Sequence, residues 1–241
     1  MLWGIFSLDI IVNTDDDVYM RYPGGKAKTF HHVVNLIPPH KVYVEPFLGL
    51  GSVMKAKKRA DTEFGIDLDK RALEMSNLKE RGVQLIHDDG IRFLEQFPFE
   101  GHEVVYCDPP YHPNVRKRDR VYKFDLCHHD HVRFLDLVTQ LNARIIISGY
   151  DSDIYRQYLN DWHVYTYPSK AHDGLREECL WHNFPSPSEL HDYRYLGSNF
   201  RERQTIQRRL ERMKRRLGEL TAQERSLLLE WLTLRENPGA D

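Results

Sequence analysis

The residues best suited to chemistry are Asp108-Pro109-Pro110-Tyr111, which directly follow the apolar run Val104-Val105-Tyr106-Cys107. That run reads as a buried strand, so a carboxylate, two prolines and an aromatic ring sit where a strand gives way to a loop. In open α/β sheets ligands bind at this carboxyl edge. The exocyclic amine of a nucleobase is a poor nucleophile because its lone pair is delocalised into the ring. A carboxylate and a rigid backbone carbonyl that accept its two N–H bonds localise the lone pair, and a tyrosine ring stacks on the flat base. Prolines donate no N–H and fix the loop that aims the carbonyl.

A second motif lies upstream. Val42-Tyr43-Val44-Glu45-Pro46-Phe47-Leu48-Gly49-Leu50-Gly51-Ser52 reads as strand, Gly-rich turn and helix start. Gly49 and Gly51 admit a ligand close to the backbone. The third glycine of the dinucleotide fingerprint is absent, as is the lysine of a phosphate-binding loop. A cradle without phosphate chemistry suits S-adenosylmethionine, whose sulfonium is positive. The strand ending Phe64-Gly65-Ile66-Asp67 places an acid near the spacing used for ribose hydroxyls, and Asp88 and Asp89 follow the short strand from Val83 to Ile86. Each acid alone reads first as a helix cap or solvated turn residue. Their ordering at four successive strand ends, with Asp108 the last, is what argues for a site.

With these motifs the chain resembles the Dam-type DNA adenine-N6 methyltransferases, in the compact form of phages and prophages. The resemblance rests on Arg21-Tyr22-Pro23-Gly24-Gly25-Lys26, on Glu45 to Gly51 and on Asp108 to Tyr111. It extends to Ile147-Ser148-Gly149-Tyr150-Asp151 and Arg176-Glu177-Glu178-Cys179-Leu180-Trp181. It implies S-adenosylmethionine as cofactor, contacted by Tyr22, Lys26, Asp67 and Asp108 and by the cofactor loop with Glu45, Phe47, Gly49 and Gly51, while Asp88 and Asp89 join the candidate contacts from their strand end alone. It implies target adenine held by Asp108, Pro109, Pro110 and Tyr111. Larger members insert a DNA-recognition domain before the catalytic strand; here Gly90 to His102 leaves room for one short helix and a turn, so short or relaxed specificity is expected. An RNA adenine methyltransferase using the same tetrapeptide, or an inactive nucleic-acid-binding relic, are the alternatives.

The elements that position these residues alternate. Strands are expected near 42–45, 62–66, 83–86, 103–107, 143–148, 162–167 and 178–184. Helices are expected near 26–36, 51–59, 69–80, 90–97, 128–141 and 151–160. The pattern predicts an α/β fold, a doubly wound sheet with right-handed crossovers. The last two strands lack a helix between them and so pair antiparallel. Seven strands with the last one antiparallel is the Rossmann-like class I methyltransferase sheet. Residues 1–19 read as an N-terminal extension, 20–184 as the catalytic domain, 185–199 as a Pro/Ser-marked linker and 200–236 as a basic helical hairpin. In that hairpin Ile206, Leu210, Met213 and Leu217 form one apolar stripe, Gly218 suits a helix end and Thr221 to Glu224 reads as a capping box.

The loop after the tetrapeptide carries Arg116, Lys117, Arg118, Arg120, Tyr122 and Lys123, a pattern suited to phosphates with an aromatic for stacking. The expected partner is DNA, duplex or single-stranded, bound by a monomer or weak homodimer. No metal is expected: Cys127-His128-His129-Asp130-His131 lacks a second ligand pair, and Asp130 and His131 belong to a helix's opening turn. Net charge is −2, so whole-chain charge says nothing of nucleic acid. Three cysteines without a paired framework fit a reducing cytoplasm, and the resemblance implies a bacterial or phage-encoded protein. The apolar stretch from Leu2 to Val12 is short, contains Asp9 and lacks a basic flank, so neither a signal peptide nor a membrane span is expected.

Overall fold

The computed structural model describes residues 26–112, 124–171 and 174–236. In chain order its elements are α1 (Phe30–Val34), β1 (Val42–Glu45), α2 (Ser52–Ala56), β2 (Thr62–Asp67), α3 (Lys70–Met75), β3 (Gln84–His87), α4 (Gly90–Gln96) and β4 (Val104–Cys107). They continue with α5 (His128–Val138), β5 (Arg144–Gly149), α6 (Asp153–Tyr158), β6 (His163–Ala171), β7 (Gly174–His182), α7 (Phe200–Gly218) and α8 (Ala222–Glu236). The expected N-terminal extension and the loop bearing Arg116, Lys117, Arg118, Arg120, Tyr122 and Lys123 lie outside the described residues, as does Tyr22.

The strands form one seven-stranded sheet in the order β3-β2-β1-β4-β5-β7-β6. β7 runs antiparallel to both neighbours and the other pairings are parallel. The fold is therefore the doubly wound, Rossmann-like sheet with one antiparallel strand that the alternation of elements predicts. β4 is buried along its whole length, and so is β5 beyond Arg144. This is why both read as unbroken apolar runs rather than as alternating ones. Val44, Val105, Ile145 and Ile147 pack with Phe134, Leu135 and Val138 of α5 in the core.

Most helices are shorter than their apolar periodicity suggests, for local reasons. The Lys26 carbonyl accepts from the N–H groups of both Thr29 and Phe30, so a tight turn leads directly into α1. The helix expected over 69–80 stops at Met75. There Ser76 donates its hydroxyl to the Leu73 carbonyl (2.7 Å), and Asn77 takes a left-handed φ of 54°. A separate 3₁₀ turn, Lys79–Arg81, follows. β6 and β7 run longer than expected, nine residues each. Their outer halves, such as Pro168 opposite Glu177, are held by cross-strand pairing rather than by an apolar pattern, and a proline is tolerated because β6 is an edge strand.

The chain divides into two compact units between Tyr193 and Arg194. His191 and Asp192, expected in a linker, are bound to the first unit: the His191 N–H donates to the Ile37 carbonyl (2.9 Å) and Asp192 accepts from the Lys58 N–H (2.8 Å). In the second unit Asn199 caps α7 by accepting from the Glu202 N–H (3.0 Å). The expected box opens α8: the Thr221 N–H donates to Glu224 Oε2 (2.7 Å) and the Glu224 N–H to Thr221 Oγ1 (3.3 Å).

Candidate active site

The strand order reverses between β1 and β4, and a cleft opens at their carboxyl ends, where such sheets bind ligands. The turn after β1 supplies one wall. Gly49 and Gly51 have φ of 52° and 67°, backbone that side-chain-bearing residues rarely adopt. Asp67, at the end of β2, holds this turn. Its Oδ2 accepts from the Gly49 N–H (2.7 Å) and its Oδ1 from the Asp69 N–H (2.8 Å). Burial raises the Asp67 carboxyl above its ordinary value, and those two N–H groups pull it back. Both oxygens keep a lone pair for a ligand.

Asp89, after β3, caps α4 by accepting from the N–H groups of Ile91 (2.7 Å) and Arg92 (3.2 Å) while still lining the cleft. Asp88 is not in the lining; its carboxylate pairs with the Arg92 guanidinium. Of the residues expected to contact a cofactor, Lys26, Glu45, Phe47, Gly49, Gly51, Asp67, Asp89 and Asp108 thus share one cleft. The α4 backbone seats closely against its floor, since a Cβ on Gly90 would collide with the Pro46 carbonyl oxygen.

Asp108 directly follows β4 and lines the cleft. Lys26 Nζ donates to Asp108 Oδ1 (2.9 Å) and to the Tyr111 hydroxyl (2.5 Å), and lies 3.5 Å from Glu178 Oε2. Glu178 in turn accepts from the buried Tyr167 hydroxyl (2.6 Å). Burial works against the Lys26 charge, but the carboxylates of Asp108 and Glu178 outweigh it and raise its pKa. Burial likewise pushes the Asp108 carboxyl up, opposed by the Lys26 ammonium. Pro109 is buried and Pro110 lines the cleft. The Tyr111 ring meets Tyr150 edge-on, with centroids 4.6 Å apart, so its plane is set by the segment after β5.

Behind Glu45 lies a polar cluster. The Lys57 ammonium pairs with Glu63 and sits 4.0 Å from the centre of the Tyr43 ring, whose hydroxyl donates to Glu45 Oε1 (2.9 Å). Burial pushes the Glu45 carboxyl up to about 8, against the lowering pull of Tyr43 and Lys57. Glu178, Lys57 and Glu63 were not expected at the site. Glu178 belongs to the Arg176–Trp181 segment, but its approach to Lys26 depends on β7 returning beside β5. Phe124 and Leu126, which add apolar surface to the cleft, carried no signal of that role.

The charge of the lining is informative. Among the described residues Asp67, Asp89, Asp108 and Glu45, whose proton burial retains, face one cation in the lining, Lys26, which already holds Asp108 and Tyr111. Such a set suits hydroxyls, an ammonium or a sulfonium and repels a polyphosphate. Next along the chain, His112 is buried, with Nε2 3.0 Å from His128 Nδ1, and His131 Nδ1 lies 3.1 Å from the Tyr155 hydroxyl. As expected, Asp130 serves the opening turn of α5, where it accepts from the Cys127 N–H (2.8 Å). Among the described residues no helix is long and apolar enough to cross a membrane.

Residues 22–100 match the model of a family described as the D12 class N6 adenine-specific DNA methyltransferases. No curated protein matches the chain. Among solved structures, TrmK of M. capricolum in complex with S-adenosyl-homocysteine is similar at 10% identity and a TM-score of 0.45, over 87% of this chain and 93% of that one. An rRNA methylase from Streptococcus thermophilus is similar at 13% identity and 0.43, over 68% and 97%. Magnesium protoporphyrin IX methyltransferase from Synechocystis PCC 6803 with bound SAM is similar at 14% identity and 0.43, over 66% and 79%.

Proposed function

We propose that this chain, residues 22–100 of which match the D12 class N6 adenine-specific DNA methyltransferases, methylates the N6 amine of adenine in DNA with S-adenosylmethionine as donor. The observation that carries the proposal is the placement of Asp108, beside the Gly49–Gly51 turn at the β1/β4 switch point, with Tyr111 and the prolines following it.

The residues of the cleft fit the cofactor. Gly49 and Gly51 give the turn its left-handed backbone, Asp67 offers lone pairs to ribose hydroxyls, and the carboxylates of Asp67 and Asp89 favour a positively charged sulfur and an amino group. Phe47 and Leu50 provide apolar wall for a purine ring. When bound, the cofactor supplies an electrophilic methyl group. The chain's own residues do the rest. Asp108 and the Pro109 carbonyl accept the two N–H bonds of the adenine amine and localise its lone pair. Tyr111 stacks on the base, with its hydroxyl tethered by Lys26. Lys26 also favours the ionised form of Asp108, the form that accepts. The amine nitrogen becomes strongly acidic on methylation, so its proton leaves to Asp108 or to water without a strong base.

The short connection between β3 and β4, occupied by α4, holds no inserted recognition domain. With base readout left to the loop after Tyr111, a short or relaxed recognition sequence is expected. Labelled-methyl transfer to duplex DNA, single-stranded DNA and RNA tests the proposal. N6-methyladenine in DNA supports it; transfer to RNA alone, or to another base atom, overturns it.

A further inference from the structure

We propose that α7 grips the backbone of duplex DNA through a stripe of four arginines. The proposal rests on the reading that the substrate is DNA.

Each residue of an α-helix turns by about 100°, so Arg201, Arg208, Arg212 and Arg215 fall within an arc of about 60° and span about 21 Å of axis. All four are exposed. Among the described residues none of them has an acidic partner. Glu202 is engaged at the helix start, where it accepts from the Ser198 N–H (2.9 Å), and Glu211 pairs with Lys214 (2.7 Å). The helix carries eight cationic side chains against these two carboxylates. Its apolar residues, Ile206, Leu210, Met213 and Leu217, lie on the opposite side, so an apolar contact there leaves the arginine face open.

The chemistry of the stripe selects its partner. All four residues are arginine, whose planar guanidinium matches phosphate oxygens pairwise, while the lysine of the helix, Lys214, lies off the stripe. Duplex DNA presents about one negative charge per 1.7 Å of axis, so a 21 Å stripe meets several phosphates. A second copy of α7 is a poorer partner: Arg209, Lys214 and Arg216 flank the apolar stripe and would oppose like charges in a parallel pair. A lipid surface is also poorer, because an interfacial helix needs an apolar face wider than this arc of about 60°.

The test uses the full chain, without cofactor, and measures fluorescence anisotropy of a labelled duplex of about 30 base pairs across a salt series. R201Q/R208Q/R212Q/R215Q is expected to bind at least about tenfold more weakly at moderate salt, and to lose about three to four units of the slope of log affinity against log salt. The all-lysine variant at the same positions, which keeps the charge, is expected to fall between it and the parent. The control K41Q/K70Q/R71Q/K79Q removes the same charge from exposed positions of the first unit and is expected to bind like the parent. The proposal is overturned if the arginine variant binds like the parent or if the control loses as much. It is also overturned if phosphatidylserine vesicles bind more tightly than the duplex. Since no turnover is needed, absence of methyl transfer would sink the functional reading and leave this measurement standing.

Discussion

The Lys26 ammonium lies 2.9 Å from Asp108 Oδ1 and takes one acceptor site of that carboxylate. An incoming amine that bonds Asp108 would share the carboxylate with Lys26. Glu178, 3.5 Å from the same nitrogen, is the second carboxylate toward which it can shift.

Replacing Lys26 by methionine should strand Asp108 and Glu178 as buried carboxylates without their cation. Breaking a buried pair in this way costs about 3–5 kcal/mol, to be read from the denaturant midpoint. Adding Glu178→Gln should recover part of that stability and little of the transfer rate. Full stability in Lys26→Met would mean that solvent, not Lys26, satisfies Asp108.

Asp67 holds the glycine turn through the Gly49 N–H and faces the cleft. Asp67→Ala should weaken cofactor binding by about 1–3 kcal/mol, the scale of an unpaired polar contact. Asp67→Asn, which keeps one acceptor, should fall between. Calorimetry that finds unchanged affinity in Asp67→Ala would confine this residue to the turn.

Gly90→Ala should destabilise the first unit, because the new Cβ meets the Pro46 carbonyl, a backbone atom that has little freedom to move. A cost of about 1–3 kcal/mol is expected for such overpacking, with weaker cofactor binding because Pro46 forms part of the cleft. Gly218→Ala, in open space at the end of α7, should be neutral or mildly stabilising. Equal melting temperatures for the two variants would contradict the close seating of α4.

Glu45 gives the cleft a pH dependence. Its folded-state pKa is raised from 4.5 to about 8 by burial. An acid with a raised pKa holds its proton longer in the folded than in the unfolded chain. Its contribution to stability is therefore full below its ordinary value and is lost as pH rises toward about 8. A cationic cofactor favours the ionised carboxylate, so binding near pH 7 should release a proton and tighten as pH rises toward 8. Calorimetry in buffers of different ionisation heat reads that proton directly, and Glu45→Gln should abolish the release.

Much of the sheet is legible in sequence because a strand buried on both faces must be apolar, and Val104–Cys107 and Arg144–Gly149 largely are. The box at Thr221 and Glu224 is legible because capping needs those residue types at that spacing. Asp108, Asp67 and the glycine turn follow from strand ends. The partnership of Lys26 with Glu178 does not, since 152 positions separate them and only the reversed β7 brings them together. The Lys57–Glu63 pair behind Glu45 is not legible because buried charges look like surface charges in sequence. Nor are the outer halves of β6 and β7, which backbone pairing holds without leaving a side-chain pattern.

The most direct test is labelled-methyl transfer from S-adenosylmethionine to duplex DNA by the parent chain and by Asp108→Ala, with the modified nucleoside identified by mass spectrometry. N6-methyladenine from the parent and a rate lower by about two to four orders of magnitude from the folded variant are expected, the scale of one positioned acceptor. More than half the parent rate in Asp108→Ala, or no N6-methyladenine from the parent, would contradict the assignment.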